Sequence, residues 1–558
     1  MDNHAIADNF SLLSKLMDIH GDNSFKAKSY SSAAFTIDKL PTPLSAMPAD
    51  KIFSIRGIGD AIGKKIVAQL ETGQLSILKE YLEKTPPGIL EMLGIKGIGP
   101  KKIATIWKEL EIESLGELLY ACNENRLTLY KGFGEKSQQN IKEAIEFYLG
   151  TKGSYLYQQM ESYASAIDSK LKGTFLQDQF MLTGEFRRQM EIINTLEWVT
   201  TVPANQLKDF FLANEFETSS IVDGYVSFKG KENITLGFYC TDKDHFFSQL
   251  FLTTCSEEFL TEWKEATEWD TEKTYLSEEA IFVSANISPI PAFQREKVSV
   301  IHLAKAGQLP EVIQPEDIKG IIHSHSNWSD GVNTLEQMTT AAKAKGLEYL
   351  VISDHSKSAF YANGLSEERI RAQHKQVDEL NPLLSPFKIF KSIESDILND
   401  GSLDYSNTVL AGFDLVIASV HSNLKMSEEK AMMRLLKAIE NPFTSILGHM
   451  TGRLLLSRNG YPVNYKLIIE ACAANQVVIE LNAHPRRLDI DWRWIDYALE
   501  KNVLISINPD AHNIDGFDDC RFGILAAQKA GLTREQNLSS FSLEAFEKFV
   551  SVQKAKRK

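Results

Sequence analysis

The chain has 558 residues, 43% hydrophobic and 24% charged, with a formal net charge of −14. That is a soluble, multidomain globular composition; no apolar run is long enough to span a bilayer, and the five scattered cysteines suit a reducing cytosol rather than a disulfide framework. The opening MDNHAIADNF has no signal-peptide pattern, so a cytoplasmic protein without a membrane partner is expected.

The first chemical signal repeats. IRGIGDAIGKKI (55–66), IKGIGPKKI (95–103) and YKGFGEKSQQNI (130–141) each hold an apolar or aromatic residue inside Gly-x-Gly, then a lysine-bearing helix start. Glycine permits positive φ and lets backbone N–H groups approach an anion. The helix N-terminus adds its dipole. One copy could simply end a helix; three copies with lysines at matching places point to phosphate binding. The pattern resembles the helix-hairpin-helix motif, which grips the DNA backbone without reading bases. The resemblance implies DNA contacts at Gly57, Gly59, Lys64, Lys65, Gly97, Gly99, Lys101, Lys102, Gly132, Gly134 and Lys136. Side-chain charge nearly balances over residues 1–150, so most of the negative charge lies further on. Modest, salt-sensitive, sequence-independent affinity follows.

NSFKAKSYSSAAFTI, followed by the first hairpin, is similar to the N-terminal lyase domain of family X DNA polymerases. There a lysine in the helix after the hairpin forms a Schiff base with an abasic-site sugar, and Lys65 matches it. A lysine serves as such a nucleophile when its surroundings lower its pKa. The simpler alternative, neutralising phosphate, stays open for Lys65.

LTGEFRRQMEIINTLEWVTT (182–201) resembles the palm of the same family, which reads Gly-Ser-Tyr/Phe-Arg-Arg followed by Asp-x-Asp. Gly184, Phe186, Arg187 and Arg188 are kept. Glu185 stands at the serine that would touch a triphosphate, Thr195 and Glu197 at the paired aspartates, and Thr235 at the third. Thr254-Cys255-Ser256 replaces the Thr-Gly-Ser turn of the nucleotide pocket. Two-metal nucleotidyl transfer needs oxygen ligands in near-octahedral geometry. Threonine is a poor ligand, one glutamate cannot organise two ions, and Glu185 repels a triphosphate. The palm is poorly equipped for magnesium, and DNA synthesis is expected to be weak or absent. The stretch 287–320 resembles the thumb and linker of bacterial members.

From residue 320 onward, apolar runs end in histidines and carboxylates: GIIHSHSNWSDG (His323, His325, Asp330), YLVISDHS (His355), KIFKSIESDIL (Glu394, Asp396), DLVIASVHS (His421), SILGHM (His449), VVIELNAH (Glu480, His484) and VLISINPDAH (Asp510, His512). Two histidines two apart on a strand point the same way. TLEQMTTAAKAKG, SEEKAMMRLLKAIEN, YKLIIEACAANQ and WIDYALEKN show helical periodicity between the runs. The alternation predicts an α/β barrel with a parallel sheet, its chemistry at the C-terminal strand ends. Imidazole and carboxylate without thiolate suit zinc, manganese or iron. The candidates are too many for one ion and fit two or three, bridged by a carboxylate such as Glu394, an arrangement suited to phosphoester hydrolysis.

These motifs resemble the polymerase-and-histidinol-phosphatase (PHP) superfamily over residues 318 to about 550. The resemblance implies three ion sites: His323, His325, Glu394 and Asp510; then Glu394, His421 and His449; then Asp330, His355 and His512. Glu394, Asp510 and His325 would form the catalytic group. His484 falls outside the set, as a supporting or surface histidine. Arg486 and Arg487 either neutralise substrate phosphate or form a solvated loop pair, and Lys357 and Asn363 are candidate substrate contacts.

The fold class expected is multidomain. It comprises α-helical domains at 1–85 (lyase-like, first hairpin) and 86–150 (fingers-like, second and third hairpins), an α+β nucleotidyltransferase-like palm and thumb at 151–312, and a PHP domain, a distorted (β/α)7 barrel, at 313–558. The resemblances imply a monomeric, bacterial, nucleoid-associated DNA repair protein acting on gapped, nicked or abasic DNA. Its barrel, with two or three zinc or manganese ions, would be a 3′-5′ exonuclease or abasic-site endonuclease. The rival readings are a working gap-filling polymerase, a phosphatase for small phosphoesters, and a non-enzymatic DNA scaffold, the last disfavoured by the filled ligand positions.

Overall fold

The computed structural model describes residues 3–38, 40, 42–150, 153–230, 233–271 and 273–557. The boundary expected after residue 150 falls at 151–152, outside them. The chain forms two compact units: Met1–Asn123 with Leu127–Tyr148, and Glu124–Arg126 with Leu149–Lys558.

The first unit is helical. Helices Asn3–His20 and Ser24–Asp38 pack through Phe10, Leu13, Ala27 and Tyr30. The three hairpins share one construction. The apolar residue between the glycines (Ile58, Ile98, Phe133) is buried and pins the turn from inside. The first glycine (Gly57, Gly97, Gly132) has φ of 92°, 92° and 98°, a left-handed conformation natural only to glycine. The second (Gly59, Gly99, Gly134) leads into helices Asp60–Thr72, Pro100–Lys108 and Glu135–Gly150, and a Cβ on any of the three would meet nothing within 4 Å. No internal packing demands glycine there.

In the second unit, β1 (Tyr155–Leu156) pairs antiparallel with β3 (Ile192–Ile193). A five-stranded sheet has the order β2-β4-β7-β6-β5. Its strands are β2 (Phe180–Thr183), β4 (Thr195–Thr200), β5 (Glu217–Val222), β6 (Tyr225–Lys229) and β7 (Thr235–Cys240). Only β4 and β7 run parallel, pairing Thr195 with Thr235 and Glu197 with Gly237. The three palm positions singled out from the sequence therefore meet on neighbouring strands. Trp198 and Phe238, stacked at 5.3 Å, anchor the core beneath them.

The barrel follows as seven parallel strands in chain order: β8 (Gly320–Ile321), β9 (Tyr349–Ile352), β10 (Lys388–Asp396), β11 (Leu415–Ser419), β12 (Ile446–Leu447), β13 (Val478–Asn482) and β14 (Ile505–Asn508). Every strand is buried along most of its length, which explains the near-continuous apolar runs. The expected helices form at Leu335–Ala344, Glu428–Ile439, Tyr465–Asn475 and Ile495–Glu500. The first and last strands meet just beyond their ends, where Ser324 bridges Ala511 and His325 N donates to Ala511 O at 2.8 Å. The sheet is thus nearly closed, and it closes at the ligand-bearing end.

One expectation is corrected here. His323 and His325 do not share a face of an extended strand, because β8 ends at Ile321 and His323 has φ of 63°. A left-handed residue, not strand alternation, turns the first imidazole inward.

Palm and barrel lie in the same unit. In the palm, Arg187 makes a two-pronged pair with Glu278 (2.8 and 2.7 Å), and Arg295 joins it at 2.5 Å. Burial pushes the Glu278 carboxyl up, but these two guanidiniums outweigh it and hold the carboxyl below its ordinary value of 4.5. The contribution of this cluster is full above the ordinary glutamate range and is lost as pH falls through the depressed value. The difference in unfolding free energy between wild type and Glu278→Gln is therefore expected to shrink as pH falls below about 4.5. At pH 7 it is about 3–5 kcal/mol, the scale for breaking a buried pair, measurable by urea titration.

Candidate metal centre

All nine expected ligands arrive at one end of the barrel. His323 and His325 follow β8, His355 follows β9, Glu394 lies on β10, and His421 and His449 follow β11 and β12. Asp510 and His512 follow β14, and Asp330 comes from the loop after His325. Glu394 is the hub, with its carboxylate oxygens 3.2 Å from His323, 3.0 Å from His355, 3.1 Å from His421 and 2.9 Å from His449. Asp510 is 3.4 Å from His323 and 3.1 Å from His325. Asp330 lies 3.5 Å from both His355 and His512.

Ligand atoms cluster in three groups: His323, His325 and Asp510; His355, Glu394 and His421; and His325, Asp330, His355 and His512. These overlap the three expected sites, but Glu394 is absent from the first group and His449 from the second, while two residues gain a further group. His325 also joins the third group, its ring stacked 4.3 Å from both His355 and His512, and His355 also faces Glu394.

The fit to cations shows in the atoms themselves. His323 Nε2, His325 Nδ1, Asp330 Oδ2, both nitrogens of His355, Glu394 Oε2 and His512 Nε2 are buried without a hydrogen-bond partner. Buried polar atoms ordinarily find one, so a cluster of orphans of this kind is suited to holding cations. Burial opposes charge on His323, but Glu480, Asp510 and Glu394 outweigh it and raise its pKa well above the usual range. His355 is raised in the same way by Asp330 and Glu394, and His512 to about 9, chiefly by Asp330 against burial. Glu394 and Asp510 are held well below the carboxylate range by the histidines, again against burial. His325 is driven down to about 3 by burial and by its neighbours His512 and His355.

Three carboxylates outside the expected ligand set organise it. Glu480 Oε2 lies 2.6 Å from His323 Nδ1, and its other oxygen accepts from His449 N at 3.0 Å. Asp396 Oδ1 lies 2.5 Å from His421 Nδ1. Such bonds fix ring orientation and leave Nε2 for the ion. Asp354 accepts from Ser326 N and Oγ (2.9 and 2.7 Å), from Ser329 Oγ (2.5 Å) and from Gln373 Nε2 (2.6 Å), pinning the loop that carries Asp330. Glu480 and Asp396 stand at strand ends in the sequence, but only the fold separates support from ligation. Asp354 carried one weak signal, its place before His355.

The solvated-loop reading of Arg486 and Arg487 is corrected: both are buried, and Arg487 Nε lies 3.7 Å from Asp510 Oδ2. His484 is half-buried, its Nδ1 accepting from Arg486 N at 3.2 Å, and burial drives it down to about 3. Asn363 donates to Ser329 O at 3.2 Å, and the Lys357 amide to Tyr405 OH at 3.0 Å, so both help brace the loop after His355.

At the hairpins, Lys64, Lys101 and Lys136 are exposed. Lys102 Nζ donates to Ser137 Oγ at 2.8 Å and so ties the second hairpin to the third. Lys65 Nζ lies 3.3 Å from Ala61 O. In the palm, Glu185 accepts from Asn194 N at 2.7 Å, and Arg188 pairs with Glu296 at 2.5 Å. Tyr239 OH donates to Glu197 at 2.8 Å, and burial raises the Glu197 carboxyl above its ordinary range. A Cβ on Gly184 would lie 1.9 Å from Glu197 Oε2, so the carboxylate rests on the Gly184 backbone. Among the described residues, all three ligand clusters lie in the barrel and none in the palm.

Comparison with known proteins agrees with this layout. Residues 1–75 match a helix-hairpin-helix domain, 89–146 a SAM-like helix-hairpin-helix tandem, and 322–484 a PHP domain. The chain is 33% identical over 560 aligned positions to the DNA polymerase/3′-5′ exonuclease PolX of Bacillus subtilis (strain 168), covering 96% of both chains. A probable phosphatase, TTE1963, of Caldanaerobacter subterraneus subsp. tengcongensis is 27% identical over 29% of the chain and 60% of its own length. Another, YcdX of Escherichia coli O81 (strain ED1a), is 27% identical over 29% and 62%.

Added zinc or manganese is expected to raise the melting temperature of metal-stripped protein by about 5 °C, and by less in Glu394→Gln. Because bound cations displace protons from the raised histidines, apparent metal affinity should climb with pH through the range in which His512, raised to about 9, loses its proton. Titration calorimetry at several pH values reads this directly.

Proposed function

The chain belongs to the PolX family of DNA polymerase/3′-5′ exonucleases, and from that premise we propose that it hydrolyses DNA phosphodiesters at 3′ ends in the PHP barrel, without appreciable DNA synthesis by the palm. The observation that carries this reading is the contrast between the two centres. The barrel gathers eight side chains into three groups that could hold an ion, six of them with buried atoms that lack a hydrogen-bond partner. The palm offers one glutamate, folded onto Gly184 and bonded to Tyr239.

The proposed division of the chain is a lyase-like domain at 1–85, a fingers-like domain at 86–150, palm and thumb at 151–312 and the phosphoesterase at 313–558. Zinc or manganese would be held by His323, His325, Glu394 and Asp510, by Glu394, His421 and His449, and by Asp330, His355 and His512. Such ions supply Lewis acidity toward phosphoryl oxygens and lower the pKa of water. The protein's own part is positional and electrostatic. Glu394 and Asp510 bring negative charge to the cluster, and His325, poorly basic, offers a neutral nitrogen. Glu480 and Asp396 hold His323 and His421 in one orientation, and Arg486 and Arg487 would neutralise a substrate phosphate arriving beside Asp510.

The hairpins would hold gapped, nicked or abasic DNA by its backbone. Glycines at 59, 99 and 134 with nothing beside them support this, since they leave bare amides for a phosphate. Arg187 and Arg188, the residues that would face a triphosphate, are already neutralised by Glu278 and Glu296. Abasic-site cleavage by the barrel, lyase chemistry at Lys65, action as a monomer and association with the nucleoid belong to the same reading.

Small phosphoesters are the second reading, favoured by the two probable phosphatases that align with the barrel. Phosphate release from small monoesters far exceeding turnover of DNA 3′ ends would replace the first reading by the second.

Glu394→Ala is expected to lower 3′-end removal at least about 100-fold while DNA affinity, read by fluorescence anisotropy, stays within about twofold. Gly99→Leu should do the reverse, weakening DNA binding about tenfold with metal content unchanged. Primer extension with all four nucleotides and manganese should give no product above background; robust extension abolished by Glu197→Ala would overturn the account of the palm.

A further inference from the structure

The palm turn that follows Arg188 reaches into the phosphoesterase. Glu191 is buried, 8% exposed, and its Oε1 lies 3.3 Å from Arg493 and 3.9 Å from Arg453, both barrel residues. Arg453 spends its other donors on the barrel itself. Nε donates to Arg487 O at 2.9 Å, Nη1 to Asp491 at 2.8 Å and Nη2 to Leu488 O. Arg487 in turn places its guanidinium 3.7 Å from Asp510, a metal-ligand candidate. Ion pairs and hydrogen bonds therefore lead from a palm carboxylate, through Arg453 and the Arg487 carbonyl, to the loop beside the candidate metal centre.

A second strut starts from the same turn. Lys529, 1% exposed, donates to Arg188 O at 2.6 Å. It ends helix Cys520–Lys529, whose Gly523 packs so tightly on β13 and β14 that a Cβ would lie 2.7 Å from both Ala483 and Ile507. One strut holds the carbonyls of Arg487 and Leu488, and the other anchors the helix that packs on Ala483, just before that segment.

We propose that Glu191 is a positioning residue of the phosphoesterase: through Arg453 it fixes the segment carrying Arg486 and Arg487, so the palm serves the barrel as a brace for its phosphate-facing arginines. The use of those arginines rests on the function proposed above; the bracing itself rests on geometry alone. A carboxylate is needed because Arg453 would otherwise share only Asp491 with Arg493, two cations on one anion. An arginine is needed because only its fork reaches two carbonyls and two carboxylates at once.

The test compares metal-loaded full-length wild type, Glu191→Gln, Glu191→Asp and Arg453→Lys. Amide hydrogen exchange across residues 484–490 should accelerate about tenfold in Glu191→Gln and Arg453→Lys and return toward wild type in Glu191→Asp. The turnover probe is the p-nitrophenyl phosphodiester of thymidine, too small to engage the hairpins. With it, KM should rise about tenfold in Glu191→Gln and kcat stay within about twofold, with metal stoichiometry unchanged. Wild-type exchange in both Glu191→Gln and Arg453→Lys overturns the proposal, as does an unchanged KM where the ester is turned over. A wild type that turns over neither this ester nor DNA 3′ ends overturns the proposed reaction instead, and the exchange measurement still decides the brace.

Discussion

The constraint on which the barrel depends is electrostatic neutrality without water. Glu394, Asp510, Asp330 and Glu480 lie together at the closed end of a parallel sheet, each less than a tenth exposed. Carboxylates removed from solvent must be neutralised or matched with cations. Of the six surrounding imidazoles, His323, His355, His421 and His512 are raised toward the protonated form, and protonation or a bound cation would balance the charge. The folding of the sheet end and the loading of ions are therefore one equilibrium viewed from two sides. The left-handed backbone at His323 and Asp510 fits this picture: strained residues persist where their surroundings over-determine them.

Palm and barrel show how one fold can keep the shape of a site and change its content. Thr195, Glu197 and Thr235 still converge on adjacent parallel strands. The sheet, its aromatic core and the Arg187–Glu278 pair are intact, so the region retains ordinary reasons to fold. Arg187 and Arg188 are bonded to Glu278 and Glu296. Retention of the domain needs no retained synthesis, because its turn at 188–191 contacts the barrel through buried polar bonds that the barrel would lose without it.

Much of this was legible beforehand, for physical reasons. The hairpins were readable because positive φ at Gly57, Gly97 and Gly132 is a local demand that leaves a local mark. The convergence of the nine candidate positions was readable because a parallel barrel repeatedly delivers strand ends to one place, so apolar runs ending in His, Asp or Glu mark it. Less legible was anything set by which neighbours the strands bring. Glu480 and Glu394 look alike in sequence, yet one orients a histidine and the other gathers five of them. Arg486 and Arg487 looked equally like a solvated pair, and only the fold shows them buried. His323 escaped strand logic altogether, since β8 stops short. Union of palm and barrel in a single unit could not be seen either, because Glu191 and Arg453 are far apart in the chain.

The contact between Glu197 and the Gly184 backbone carries an evolutionary corollary. An aspartate introduced at position 195 or 235 would still find the approach to Gly184 occupied and the two arginines already paired. On the function proposed above, neither substitution alone gives selection a gain in nucleotide binding to reward, so the palm keeps its present state unless several positions change together.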